Sequence, residues 1–153
     1  MTPDTAADAG IFARSYDGLV VEFGVASGRV IGVSFPDEVP DDATTDHSLL
    51  DRVGAYLAGE EDHFDDVDVA LTVPTKHRTV LEKVRTIPYG ETLTTRRLAR
   101  LAGLDEEDDG DLGTVEDALR TNPVPLFVPD HRIEGPGATP ADVARLLRSV
   151  ESG

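Results

Sequence analysis

The chain has 153 residues and no cysteine. That size fits one compact domain, or two small halves sharing a core. The missing cysteine excludes disulfide scaffolds, zinc–thiolate sites, iron–sulfur clusters and thiol nucleophiles. The formal net charge is −16, from 30 acidic and 14 basic residues, of which only Lys76 and Lys83 are lysine. High Asp, scarce Lys and few aromatics resemble the proteins of salt-in halophilic archaea, where molar salt shortens the Debye length to about 3 Å and screens self-repulsion. No run approaches the ~18 apolar residues of a membrane span. The opening MTPDTAADAG has neither the basic start nor the apolar middle of a secretory signal, so a cytoplasmic monomer is expected.

Taken in chain order, residues 11–35 read as β. Ile11–Tyr16, Leu19–Val25 and Val30–Phe35 are rich in Val, Ile and Phe, and Asp17-Gly18 and Ser27-Gly28 supply two-residue turns between them. This predicts an antiparallel three-strand meander. Leu49, Leu50, Val53, Tyr56 and Leu57 recur at helical spacing, and Gly59 ends that helix. Glu60–Asp68 reads as an acidic linker and Val69–Val73 as a short strand, with a boundary near Pro74. The halves are then residues 1–73, a small antiparallel sheet plus a helix, and residues 74–153, which are mainly helical.

In the second half, Val80, Leu81, Val84 and Ile87 form one apolar face, and Pro88 stops the helix. Thr94 or Thr95 can cap the next helix, whose Leu98, Leu101 and Ala102 face inward. Arg96 and Arg100 share the opposite face. Thr114-Val115-Glu116-Asp117 predicts the start of another short helix. The pair suggests a winged-helix-like helix-turn-helix, with a connector longer than usual. Leu126–Val128 reads as a buried strand between prolines, and Thr139-Pro140 as the cap of a last helix lined by Val143, Leu146, Leu147 and Val150.

The charge is segmented. Residues 1–74 carry −13, residues 75–103 carry +5, residues 104–117 carry −8, and the remainder balances. The basic island is where phosphate contacts are sought. Its Arg96, Arg97 and Arg100, with Thr94 and Thr95, are the candidate DNA-binding residues, although the same charges also suit a merely solvated helix face.

Five runs carry a resemblance. These are Tyr56–Glu60 (YLAGE), Ile87–Thr92 (IPYGET), Leu98-Ala99 with Ala102-Gly103, Arg120–Pro125 (RTNPVP) and Pro129–Ile133 (PDHRI). In order and spacing they resemble the O6-alkylguanine-DNA alkyltransferases, whose α/β N-terminal half also suits the predicted meander. The resemblance implies binding in the minor groove of double-stranded DNA and extrusion of an alkylated guanine. It also implies transfer of the alkyl group to a cysteine kept as thiolate by a neighbouring His and a Glu.

In this sequence the cysteine position is Asp130, followed by His131 and Arg132. Glu151 falls where the family's glutamate would be. Asn122 falls where an asparagine ties the helix-turn-helix to the active-site turn. Thr95 replaces the tyrosine that assists extrusion, and Gly113 the arginine that fills the vacated stack. Glu134–Ala138 is shorter than the family's pocket loop. Family members lacking the cysteine bind alkylated DNA and pass it to excision repair. The resemblance therefore implies a non-catalytic lesion reader with no cofactor and no metal, whose partners are DNA and repair proteins. The alternative is a degenerate module for protein interaction. A third reading makes Asp130 and His131 an acid–base pair, or with Glu151 a small metal site.

Overall fold

The computed structural model describes residues 9–152; the N-terminal run read above as no signal lies almost wholly outside them. Three strands, β1 (Gly10–Tyr16), β2 (Leu19–Ala26) and β3 (Arg29–Ser34), form an antiparallel meander in that order. Both turns are two residues long with positive φ, 50° and 94° at Asp17-Gly18 and 52° and 75° at Ser27-Gly28. This mirror-image geometry matches the right-handed twist of the strands.

Neither sheet edge is left bare. The Ala13 N–H donates to the Thr44 carbonyl at 3.0 Å, beside β1. The Val30 N–H donates to the Asp68 carbonyl and the Val33 N–H to the Pro123 carbonyl, both at 2.9 Å, beside β3. Covered edges give other chains no ladder to extend.

Helix α1 (Ser48–Leu57) packs on β1. His47 caps it, its Nδ1 accepting from the Leu49 N–H at 3.0 Å. The second half contains α2 (Thr75–Val84), α3 (Thr95–Leu101), α4 (Asp109–Arg120), a single 3-10 turn (Asp130–Arg132) and α5 (Ala141–Ser152). Helices α2, α3 and α4 pack on one another, and α5 packs on the 3-10 turn and on α1. This is the α/β half followed by a helical, helix-turn-helix half that the sequence predicts.

One continuous apolar core runs through both halves. An aromatic chain crosses it. Phe127 meets Phe23 edge-on at 6.1 Å and Phe64 at 5.2 Å, and Phe64 meets Tyr56 at 5.5 Å.

Several local expectations are corrected. Glu60–Asp68 is a clasp rather than a free linker. Arg52 holds Asp62 at 2.8 Å and Asp66 at 2.9 Å, and Arg85 donates to the carbonyls of Phe64, Val67 and Phe127. Val69–Val73 is reduced to a lone bridge between Val69 and Val30. Leu126–Val128 is not a strand, because Leu126 has φ 78° and the Val128 N–H folds back to the Val124 carbonyl. Helix α4 begins at Asp109, not near Thr114, with Asp108 capping the Asp111 N–H at 2.9 Å. Asp and Glu suit a helix N-terminus, so part of the acidic stretch is helix rather than connector. Thr139 is not the cap of α5; its hydroxyl is buried without a partner.

Phe127 is fully buried where the sheet, the clasp and the helical half meet. Phe127→Ala is expected to destabilise the protein by about 3–5 kcal/mol, read as a lower midpoint in denaturant unfolding at constant salt.

Candidate functional site

The site is built on the 3-10 turn. Two backbone bonds pin it to the segment before α3: Leu93 N–H to the Arg132 carbonyl, and Glu134 N–H to the Leu93 carbonyl, each 2.8 Å. On the other side α5 lays Glu151 across the turn.

Glu151 is the hub, and it is buried together with Asp130, His131 and Arg132. Its Oε2 accepts from the Tyr56 hydroxyl, from His131 Nε2 at 2.7 Å and from Arg132 Nη2 at 3.0 Å. Its Oε1 accepts from Arg132 Nε at 2.9 Å and the Gly90 N–H at 3.3 Å. The two Arg132 bonds are the side-on fork that a guanidinium offers a carboxylate. Arg132 Nη1 donates to the Ile87 carbonyl at 2.8 Å, and its plane lies 5.7 Å from the Tyr89 ring. Burial pushes the Glu151 carboxyl up, but bonds from His131, Arg132 and Tyr56 overcome this and hold it far below the usual carboxylate range. The phenol of Tyr56 is pushed up, first by burial and then by the Glu151 carboxylate it faces.

Asp130 belongs to a different network. Its Oδ2 accepts from Asn122 Nδ2 at 3.0 Å and its Oδ1 from the Thr139 N–H at 3.4 Å. Asn122 also donates to the Val128 carbonyl at 3.0 Å and accepts from the Val124 N–H at 3.1 Å. The asparagine thus ties the end of α4 to the turn, as the resemblance implies. Burial pushes the Asp130 carboxyl above its usual range, against the pull of its bonds from Thr139 and Asn122. Gly137 lies against its side chain. A Cβ placed on Gly137 would be 3.0 Å from Asp130 Cγ, so any larger residue there would need the Asp130 side chain to give by a few tenths of an ångström.

Asp130 and His131 therefore point apart: one to Asn122, the other to Glu151. That geometry corrects the reading of the two as an acid–base pair. Among the described residues no three metal-ligating side chains converge, so Asp130, His131 and Glu151 do not form a ligand set. The Nδ1 of His131 is buried without a partner.

The candidate DNA residues sit on α3. Thr94 is its cap, accepting from the Arg97 N–H at 3.2 Å, and Thr95 donates weakly to the Glu134 carbonyl at 3.4 Å. Arg96 donates to the Glu106 carbonyl at 2.9 Å, and Arg100 faces the Glu106 carboxylate at 3.4 Å. Arg97 lines a shallow pocket with Leu93, Arg100 and Leu101. The acidic connector thus engages two of the three arginines. Gly113 lies within α4 rather than at its head, and a side chain there would meet nothing within 4 Å. Sequence reasoning missed Tyr56 as a site residue, because it lies 95 positions from Glu151 and reads as core. It also missed Arg148, which donates to the His131 carbonyl at 3.1 Å.

The helix pair α3–α4 packs beside the buried turn of His131 and Arg132 that Glu151 holds, the arrangement the resemblance implies. A family model described as the 6-O-methylguanine DNA methyltransferase DNA-binding domain matches residues 75–148. A methylated-DNA–protein-cysteine methyltransferase of Methanopyrus kandleri is 38% identical over 87 residues, 57% of this chain and 62% of that protein. A DNA base-flipping protein of Thermus thermophilus is 38% identical over 86 residues, 56% of this chain and 54% of its own length. The match thus spans between half and two thirds of these relatives. Mycobacterium tuberculosis OGT, solved in complex with DNA, shares the fold with a TM-score of 0.76 at 23% identity, over 93% of this chain and 92% of that one. Residues 75–148 are thus similar to the 6-O-methylguanine DNA methyltransferase DNA-binding domain, and nearly the whole chain shares the fold of Mycobacterium tuberculosis OGT.

Glu151→Gln is expected to destabilise the protein by about 3–5 kcal/mol at pH 7, because it leaves Arg132 a buried charge without its partner. A depressed carboxyl contributes stability above its unfolded pKa, about 4.3, and loses it as pH falls through the folded value. The gap between wild type and variant should therefore narrow as pH drops below that range, followed by urea unfolding across an acid series.

Proposed function

We propose that this protein reads alkylated DNA without transferring the alkyl group. The observation that carries this is an intact hub of Glu151, His131, Arg132 and Tyr56 beside a position occupied by Asp130. Transfer needs a soft, polarisable nucleophile at the alkyl carbon, and the chain offers no thiol. A carboxylate lacks that polarisability, and this one is bonded on both oxygens and covered by Gly137. What remains is a preorganised turn beside a cavity of about 400 Å³ that includes Asp130, His131, Pro136, Pro140 and Ala144 in its lining. The likeness to a base-flipping protein and to a methyltransferase held on DNA supports a cavity that receives an extruded base. The lesion would then pass to repair proteins.

A second reading has its own observation. Helix α4 presents Asp109, Glu116 and Asp117 to solvent, and Glu106 sits on Arg96 and Arg100. Phosphate contacts need local positive charge. An acidic helix where a reading helix belongs favours a module that binds protein instead.

Titration of O6-methylguanine and plain duplexes in molar KCl decides between them. Preferential binding of the methylated duplex is expected, and equal or absent binding sinks the lesion-reading proposal. Asp130→Cys alone is expected to take up no labelled methyl group from methylated DNA, because Thr95 and Gly113 would still stand where the extruding tyrosine and the stack-filling arginine are needed.

A further inference from the structure

Two arginines of α5 have no part in the hub. Arg145 and Arg148 lie three residues apart, on the side of the helix away from the buried Val143 and Leu147. Arg148 is held in place by its bond to the His131 carbonyl. Arg145 is exposed, and among the described residues neither arginine is paired with a carboxylate. In a chain of net charge −16 this is uncompensated positive charge beside the site.

The two guanidiniums line a cavity of about 360 Å³ together with Thr92, Ser149, Ser152 and Glu91. Glu151 also borders it, but both its oxygens are occupied by Tyr56, His131, Arg132 and Gly90. Glu91 is thus the lining carboxylate left to oppose an anion. The character of this cavity is cations plus hydroxyls.

Arg148 lines the Asp130 cavity as well, so the two spaces adjoin across one side chain. The second cavity differs in chemistry. Pro136, Pro140, Ala141 and Ala144 give it apolar surface. His131 also lines it, and its Nδ1 is buried without a partner. Buried polar atoms without partners are uncommon in folded proteins. An apolar space with an unspent polar atom, joined to a cationic one, is complementary to a flat heterocycle bearing a phosphate.

We propose that Arg145 and Arg148 form a phosphate seat beside the Asp130 cavity, so that the unit bound is a nucleotide, its base in that cavity and its phosphate on the two guanidiniums. This rests on the reading above that the cavity receives a base. Guanidinium forks suit phosphate oxygens better than point charges do. The nucleotide can come from an extruded position in duplex DNA or from a free nucleoside monophosphate.

The test uses the full chain at constant ionic strength, with inorganic phosphate, deoxyguanosine, dGMP and a short plain duplex as probes. Calorimetry should show dGMP binding about tenfold tighter than either inorganic phosphate or deoxyguanosine, since it alone reaches both cavities. Arg145→Gln should weaken dGMP by about tenfold, and Glu91→Gln should tighten it several-fold. Arg145 makes no side-chain bond among the described residues, so an unchanged thermal midpoint will show that the variant is folded. If Arg145→Gln weakens dGMP, the free nucleotide is the source; if it weakens the duplex alone, the source is an extruded position. Either result supports the seat. Binding of dGMP and duplex that is unchanged by Arg145→Gln and Glu91→Gln overturns it, as does dGMP binding no tighter than inorganic phosphate together with duplex binding that Arg145→Gln leaves unchanged. Lesion preference is read separately from methylated against plain duplex. Its loss would leave an Arg145 effect intact, so the two readings fail independently.

Discussion

One carboxylate organises this molecule. Glu151 gathers a tyrosine from the first half, a histidine and an arginine from the 3-10 turn, and a backbone amide from the turn at Gly90. A buried guanidinium is tolerated only when its charge is answered and its donors are satisfied. Glu151 answers the charge of Arg132 and accepts from its Nε and Nη2, and the Ile87 carbonyl accepts from its Nη1. The same carboxylate fixes the imidazole of His131, so the turn has one orientation rather than several. Removing Glu151 would strand Arg132 and His131 at once.

The charge pattern has a similar double meaning. The basic island of the sequence is divided between α2, with Lys76, Arg78 and Lys83, and α3, with Arg96, Arg97 and Arg100, and the segment after α3 folds back on Arg96 and Arg100. An exposed ion pair such as Arg100–Glu106 is worth little, about 0–1 kcal/mol, and Arg96 is held by the Glu106 backbone carbonyl, so the connector masks both without locking them. Arg97 and the α5 arginines remain outside this embrace. The surface that a polyanion would meet is therefore narrower than the residue count suggests, and it is bordered by the acidic first turn of α4.

Much of this was legible in the sequence, and the failures have physical causes. The meander was readable because Asp17-Gly18 and Ser27-Gly28 are turns that almost nothing else suits. The helices were readable from apolar spacing. The segment from Leu126 to Val128 was misjudged because an apolar run between prolines looks like a strand, whereas Leu126 is forced into a left-handed conformation by the bonds that Asn122 makes on either side. The start of α4 was misjudged because Asp and Gly are poor helix formers in the interior, yet Asp108, Asp109 and Asp111 act here as cap and first-turn acids. At the site, Asp130, His131, Arg132, Asn122 and Glu151 do come together, but in two networks rather than one. That partition depends on which way adjacent side chains leave a 3-10 turn. The roles of Tyr56 and Arg148 arise only from packing.

The position of the hub along the chain has a consequence for synthesis. Arg132 and His131 emerge from the ribosome before the carboxylate that neutralises them, and Tyr56 emerges far earlier. The sheet and α1 can pair as soon as they are made, since their contacts are local. The turn cannot settle until α5 follows. A nascent chain halted before α5 would hold an arginine with no counter-charge at the centre of its helical half. The hub therefore closes only once α5 has been made.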